Sequence, residues 1–576
     1  MKKPGYVSFG RGELSATLWS FRREFLIVAL LSMVTNILML SPTLYMLQIF
    51  DRVVVSQSTL TLLAVSLITL FLFVLMALAE WARSRQLVRA GVRLDQALNT
   101  RVFRACFEAA LSGTERNPGK AFADLNHIRQ FLTGNGVFAI FDAPWTPIYL
   151  VVMYLLHPML GWVALGFSLM LAAITWLGHF ATRRATAAAL EHDAKVNAYV
   201  FGKLRNAEVI EALGMLDNLR HRWSVLHNHQ LFVGMRSQEP QLRLQSFTKV
   251  VRYSQQSLML GLGALLVIDG ELSVGAMIAG NVLMSRALAP IDLLGASWKS
   301  FITARKAFVD LNLLLGANPL RAASVTHDTP TGQVQIQNLI ATVLGRAQPI
   351  LRGLNAAFPA GESVAIIGPS GSGKSTLARV LVGIWPHLEG QVLLDGQAIE
   401  SWDRAELGPH IGYLPQDVEL LEGTIAQNIS RFGKLDSQAV IDAAKRTGIH
   451  ELILRFPAGY DTPMGEVGSL FSGGHRQRIG LARAIYGNPA LVVLDEPDAN
   501  LDEAGAVALV ETLAQLKAME KTVFVISHRM NMLAAVDRVL LLVNGEIRLY
   551  GPRAQVLAAL KSSAQPQGPN AAAQPA

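Results

Sequence analysis

Over its first 320 residues the chain alternates long apolar runs with basic connections, and beyond residue 333 it shifts to short apolar runs of strand length separated by helical segments. The apolar runs lie near Phe25–Leu47, Leu60–Ala79, Phe138–Leu156, Leu160–Leu177, Val250–Ile268 and Val274–Leu293. The first two are each about the length that crosses ~30 Å of hydrocarbon. The later ones are less pure, with Arg252 and Arg286 at or near their ends. The pattern predicts six membrane spans.

The connections assign an orientation. Arg83, Arg85, Arg89, Arg93, Arg101, Arg104, Arg116, Lys120 and Arg129 all fall between the second and third runs, which places that connection in the cytoplasm. The short connections Gln48–Thr59, His157–Met159 and Asp269–Ser273 carry Arg52 as their sole Lys or Arg and are expected on the other side. Lys2, Lys3, Arg11, Arg22 and Arg23 put the N-terminus with the cytoplasmic set. The first run is too long, and lacks a small-residue cleavage site, for a removed signal peptide. The long second connection keeps Leu87, Leu94 and Leu98 at helical spacing, so the spans are expected to run on as cytoplasmic helices.

Ala, Asn, Pro and Thr enrich the stretch from Gly316 to Gly332, which reads as a linker. From Gln333 the alternation of strands and helices is that of an α/β domain. Ser562 to Ala576 is Ala, Gln and Pro without an apolar period and reads as a disordered tail. The expected organisation is residues 1–24 as a cytoplasmic N-terminal segment, 25–316 as an all-α six-span transmembrane domain, 317–332 as linker, 333–561 as an α/β domain and 562–576 as tail.

Composition supports a bilayer location: 51% hydrophobic against 16% charged residues is greasier than ordinary soluble domains. The net charge of +8 comes from Lys and Arg set between apolar runs, without a basic patch interleaved with aromatics, so nucleic acid is not an expected partner. The single cysteine, Cys106, excludes an intrachain disulfide and suits reducing cytoplasm.

The chemistry is concentrated in the second half. Gly368-Pro369-Ser370-Gly371-Ser372-Gly373-Lys374-Ser375-Thr376 follows a predicted strand, Ser363 to Ile367, and opens a helix, which is the setting of a phosphate loop. Its glycines let backbone N–H groups face the phosphates of ATP at the positive end of a helix dipole. Lys374 is expected to reach the β and γ phosphates and Ser375 to ligate Mg2+. The apolar strand Leu491 to Leu494 delivers Asp495 as a magnesium ligand and Glu496 to polarise the attacking water. His528, after the strand Thr522 to Ile526, is placed to hold γ-phosphate oxygens in the transition state. Phe471-Ser472-Gly473-Gly474-His475 is a second glycine-rich motif, and its pairing with the phosphate loop implies ATP held between two copies of one domain.

These motifs make the chain resemble the ATP-binding cassette (ABC) family over nearly its whole length. By that resemblance Gln416 contacts magnesium and senses the membrane domain, and Ser472, Gly473 and Gly474 form the signature that closes over ATP held by the other subunit. Asn500-Leu501-Asp502 is the loop after the catalytic glutamate, and His528 is the switch histidine. One cassette per chain then implies a homodimer. Two positions depart from the family pattern: His475 stands where glutamine is common, and no aromatic lies between Gln333 and Leu354 to meet adenine, leaving Val343, Leu344 or Arg346.

The membrane half is similar to the type I secretion exporters, in the alkaline-protease and haem-binding-protein secretion branch. The likeness rests on Tyr45 to Val53, Phe141 to Tyr149, Asn206 to Met215, Arg286 to Pro290 with Ala304 to Ala307, and Leu494 to Asp502. It implies an exporter in the inner membrane of a Gram-negative bacterium, working with a periplasmic membrane-fusion adaptor and a TolC-like outer-membrane channel. The cargo would be an unfolded protein with a C-terminal secretion signal. The first span starts too early for the peptidase-like N-terminal domain of other secretion exporters. A lipid or drug exporter acting without partners, and an ATP-gated regulator without turnover, are the alternatives.

Overall fold

The computed structural model describes residues 12–112, 119–204, 206–319, 328–343, 348–386, 388–464, 471–527 and 529–564. The chain divides into two compact units between Pro319 and Leu320. The first is helical throughout its described residues, and the second is α/β.

The helix Thr59–Leu111 shows how sequence pattern becomes environment. With 53 residues it is about 80 Å long at ~1.5 Å per residue. Its first half exposes Leu63, Leu67, Ile68, Leu70, Phe71, Val74 and Leu78, an apolar surface suited to lipid. Its second half buries Leu87, Leu94, Leu98, Val102, Ala105 and Ala109, a stripe at spacings of three, four and seven that seats one face on neighbouring helices. Leu14, Leu125, Ile128, Leu311 and Leu315 complete that core, from the helices Glu13–Ser20, Gly119–Thr133 and Val274–Ala317. Arg101 ties the same helices with polar contacts: its Nε donates to both Glu13 carboxylate oxygens at 3.0 and 3.1 Å, and its guanidinium also reaches the Leu315 and Asn318 carbonyls.

A second buried polar cluster joins the helices Arg22–Leu38, Thr59–Leu111, Asn135–Asp142 and Thr146–Leu156. Arg83 pairs with Asp142 at 3.0 Å, Asn36 donates to the same carboxylate at 2.8 Å, and the Tyr149 hydroxyl donates to Asn36. Buried charge of this kind persists where partners satisfy it.

Among the described residues, five helical segments are long and apolar enough to cross a membrane: Arg22–Ser56, Thr59–Leu111, Asn135–Leu156, Pro158–Leu204 and Val274–Ala317. The six-span expectation is thus met for five. The expected span Val250–Ile268 ends the helix Leu216–Ile268, but Arg252, Ser254, Gln255 and Gln256 dilute its hydropathy. Asp51, in the short connection Gln48–Thr59, makes a long-range contact. Asp51 lies in the π-helical turn Ile49–Val53, and its carboxylate accepts from the Ser273 hydroxyl at 2.6 Å and the Gly275 N–H at 2.8 Å. It therefore caps the helix Val274–Ala317, whose first N–H groups lack helical partners.

In the second unit a six-stranded sheet runs in the order Glu546–Pro552, Arg538–Val543, Ser363–Ile367, Thr522–Ile526, Leu491–Asp495, Ile411–Leu414. All neighbours are parallel except the first pair, which forms a hairpin. The three central strands are almost continuous Val, Ile and Leu because both faces are covered. One face packs with the helix Lys374–Leu381 and a four-stranded antiparallel sheet around Phe358, Phe524 and Leu377. The other packs with the helices Gly473–Ile485 and Glu503–Ala518 around Ile479, Leu509 and Val525. The closing helix Arg553–Ala564 runs past Lys561, and residues 565–576 of the expected tail lie outside the described residues.

Candidate nucleotide site

Four parallel strands end at one edge of the sheet, and each hands its next residues to the same place. Register pairs Ile526 with both Ile366 and Asp495, and Leu414 with Leu494. Gly368, Gln416, Glu496 and Ser527 therefore leave from neighbouring strand ends, the position where open α/β sheets bind ligands.

The loop between Ile367 and Lys374 has the backbone that a phosphate cradle requires. Gly368, Gly371 and Gly373 sit at φ of 154°, 78° and 100°, a region that side chains disfavour. A Cβ at Gly373 would stand 2.8 Å from Leu351, whereas Gly371 opens on free space. Lys374 is buried, and its ammonium donates to the Gly368 and Pro369 carbonyls at 2.9 and 3.0 Å. Burial lowers its pKa from the ordinary lysine value, opposed by the nearby Glu496 and Asp495 carboxylates.

Asp495 is 1% exposed, and burial raises its carboxyl above the usual range; the Ser375 hydroxyl hydrogen bond opposes this and Glu496 adds to it. Its Oδ1 has no hydrogen-bond partner among the described residues. A buried carboxyl oxygen left without a partner, beside the Ser375 hydroxyl and next in sequence to Glu496, which Gln416 reaches, is a hard-oxygen setting that fits Mg2+. The neighbouring Glu496 has φ of 49°, unusual for a residue with a side chain, and its carboxylate accepts from Gln416 Nε2 at 3.0 Å.

Downstream, Ser527 donates to Asp498 at 3.0 Å and Arg529 pairs with the same carboxylate at 3.2 Å. His528, between them, lies outside the described residues, as do Leu344 and Arg346. Val343, the remaining adenine candidate, is exposed.

Ser472 caps the helix Gly473–Ile485 by accepting from the His475 N–H at 3.3 Å. A Cβ at Gly474 would stand 2.8 Å from the Asn500 carbonyl oxygen, so only glycine lets the helix start this close to the following loop. Asp502 caps the helix Glu503–Ala518 through the Gly505 N–H at 2.9 Å and pairs with Arg478. Burial, with the Arg478 charge, lowers the His475 pKa below the ordinary histidine value, opposed by Asp502.

Lys374, Ser375, Gln416, Asp495 and Glu496 thus come together in one chain. Ser472, Gly473, Gly474 and Asp502 group separately, their described contacts being with His475, Asn500, Gly505 and Arg478 and none with the phosphate loop. Reading of the sequence missed Gln477, buried on the helix after the signature, whose Nε2 donates to the Glu496 carbonyl at 3.2 Å. It also missed Arg379, which hydrogen-bonds Tyr413 and lies near Asp495. Neither belongs to a glycine motif, and the helical spacing of Gln477 to Gly473 was the one signal for it.

Comparison with known proteins gives the kinship. Residues 25–290 match the ABC transporter transmembrane region and residues 351–499 match ABC transporter. The type I secretion system ATP-binding protein PrsD of Rhizobium meliloti (strain 1021) is 39% identical over 97% of this chain and 96% of its own length. The leukotoxin export ATP-binding protein LtxB of Aggregatibacter actinomycetemcomitans is 28% identical over 93% of this chain and 77% of its own. Among solved structures, a bacterial Atm1-family ABC exporter with ATP bound superimposes with a TM-score of 0.80 over 95% of this chain and 99% of that one, at 23% identity, which establishes the likeness of fold. A matched membrane region, a matched cassette and a full-length relative place the chain in one family: it is an ABC transporter, a member of the type I secretion system ATP-binding proteins, and hydrolyses ATP.

Proposed function

We propose that this chain is the ATP-driven exporter of a type I protein secretion system, acting as a homodimer in the inner membrane of a Gram-negative bacterium. Its cargo is an unfolded protein with a C-terminal secretion signal, passed through a periplasmic membrane-fusion adaptor and a TolC-like outer-membrane channel. The likeness to PrsD along almost all of both chains carries this reading, and relatives named for leukotoxin and toxin translocation support it. Six spans, with Val250–Ile268 as the fifth, match the basic and short connections in turn.

Within the cassette, Gly368 to Thr376 wrap the phosphates and Lys374 turns its ammonium from the loop carbonyls to the β and γ oxygens. Ser375, Gln416 and Asp495 hold Mg2+, which neutralises phosphate charge when bound. Glu496 orients and polarises the attacking water, Gln416 holds the carboxylate in place, and His528 stabilises the transferring phosphoryl group. Ser472, Gly473, Gly474 and Asp502 complete the site of the other subunit. Binding of ATP joins the two cassettes, and hydrolysis frees them.

The test pairs catalysis with transport. In purified full-length protein, Glu496→Gln is expected to bind ATP while losing turnover by at least about a hundredfold. In cells, secretion of a C-terminal-signal cargo should require the intact chain and the adaptor together. Export of lipid from vesicles without any partner protein, or full turnover by a stable monomer, would overturn the proposal.

A further inference from the structure

We propose that Gln477 is a positioning residue for the water-activating carboxylate, holding Glu496 from below through its backbone. The inference rests on the reading of Glu496 given above and adds a residue that no part of that reading uses.

The helix Gly473–Ile485 is fastened to the loop after the strand Leu491–Asp495 at three points. At its start, Gly474 packs on the Asn500 carbonyl. One turn on, Arg478 pairs with Asp502. Between these, Gln477, 1% exposed, sends its Nε2–H to the Glu496 carbonyl oxygen at 3.2 Å.

That carbonyl belongs to the strained residue. Glu496 adopts φ of 49°, a conformation that persists only where its surroundings over-determine it. Its N–H donates to the Ile526 carbonyl at 3.0 Å, and its own carbonyl also accepts from Ala499 N–H at 3.2 Å. The peptide is thereby held at both ends, and the side chain is held at its tip by Gln416. Gln477 is the described side chain that grips the Glu496 backbone. A shift of the carboxylate by about 1 Å is enough to cost two orders of magnitude in rate. A buried amide gripping the backbone of a general base is therefore a rate determinant without touching substrate.

This arrangement also makes one helix serve two purposes. Its N-terminus carries the signature residues and its second turn steadies the carboxylate of its own chain. The Gln477 hydrogen bond gives movement of the signature helix a direct route to Glu496.

The test uses full-length protein in nanodiscs. Gln477→Leu removes the donor at similar volume, and kcat for ATP is expected to fall at least about tenfold while the dissociation constant for ATP changes less than about twofold. Gln477→Glu puts an acceptor against the carbonyl at neutral pH, and burial raises its pKa. As pH falls from about 8 to about 6, its kcat relative to wild type should recover, because the protonated acid donates where the ionised one cannot. Gln477→Leu should show no such recovery. A purely structural loss would leave both variants without the pH-dependent difference, and unchanged kcat in Gln477→Leu would equally overturn the inference. Should Gln477→Leu fail to fold, the pH profile of Gln477→Glu decides alone. Full turnover in Glu496→Gln would instead sink the reading of Glu496, whereas loss in Glu496→Gln with wild-type rates in both Gln477 variants would sink this inference only.

Discussion

Asp495→Asn separates what the site costs the fold from what it gives to catalysis. The carboxyl is 1% exposed, and its folded pKa is raised by burial, with Glu496 adding to the shift and Ser375, Arg379 and Lys374 opposing it. A carboxyl raised in this way stabilises the fold below its unfolded value, near 4, and that contribution disappears as pH rises through the folded value. At neutral pH the ionised group therefore opposes folding, and an amide of the same shape relieves it. A gain of about 1 kcal/mol is expected, which in a unit of this size raises the melting temperature by about 2–4 °C. Melting of the full-length protein in detergent should be followed at pH 7.5 and pH 5, without nucleotide. The gain should shrink at the lower pH, where wild-type Asp495 becomes more protonated. The same variant should lose the extra stabilisation that Mg2+ gives over ATP with chelator, because ligand-linked stability follows affinity. A variant that melts lower than wild type at pH 7.5, or that keeps the full Mg2+ increment, would refute the reasoning.

Arg431 is a structural counterpart outside the site. Its guanidinium donates to the carbonyls of Gly408, Ile411, Arg483, Ala484 and Tyr486, so Arg431→Met strands five acceptors and should lower cassette stability by about 3 kcal/mol, read by chemical denaturation. In the membrane unit, Asp51→Ala removes two hydrogen bonds at a helix start and should cost about 1–2 kcal/mol, seen as faster proteolysis of the loop around residue 51 while nucleotide affinity stays unchanged. Asp51→Asn, which keeps an acceptor, should lie between the two.

Much of the fold was legible in the chain because its two periods differ so strongly. The strand Thr522–Ile526 was read to the residue, and Leu87, Leu94 and Leu98 were recognised as one helical face; all three are buried. The phosphate loop was legible because glycine spacing dictates its backbone directly. Less legible was the expected span Val250–Ile268, where polar residues on a long helix blur the boundary between membrane and cytoplasmic stretches. The pairing of Asp51 with Ser273 and Gly275 was not legible at all, since its partners lie more than 220 positions away.

By itself, the sequence determined which residues could carry the chemistry, because glycine, lysine and carboxylate at fixed spacings act through local backbone geometry. It also determined where lipid replaces water, because hydropathy is a property of composition along the chain. Tertiary structure alone decided that Gln416 reaches Glu496, that Glu496 sits in a strained conformation, and that Gln477 supports it from another helix. Those contacts depend on strand register and on how closely Gly474 lets a helix approach Asn500, and neither distance is written in any stretch of consecutive residues.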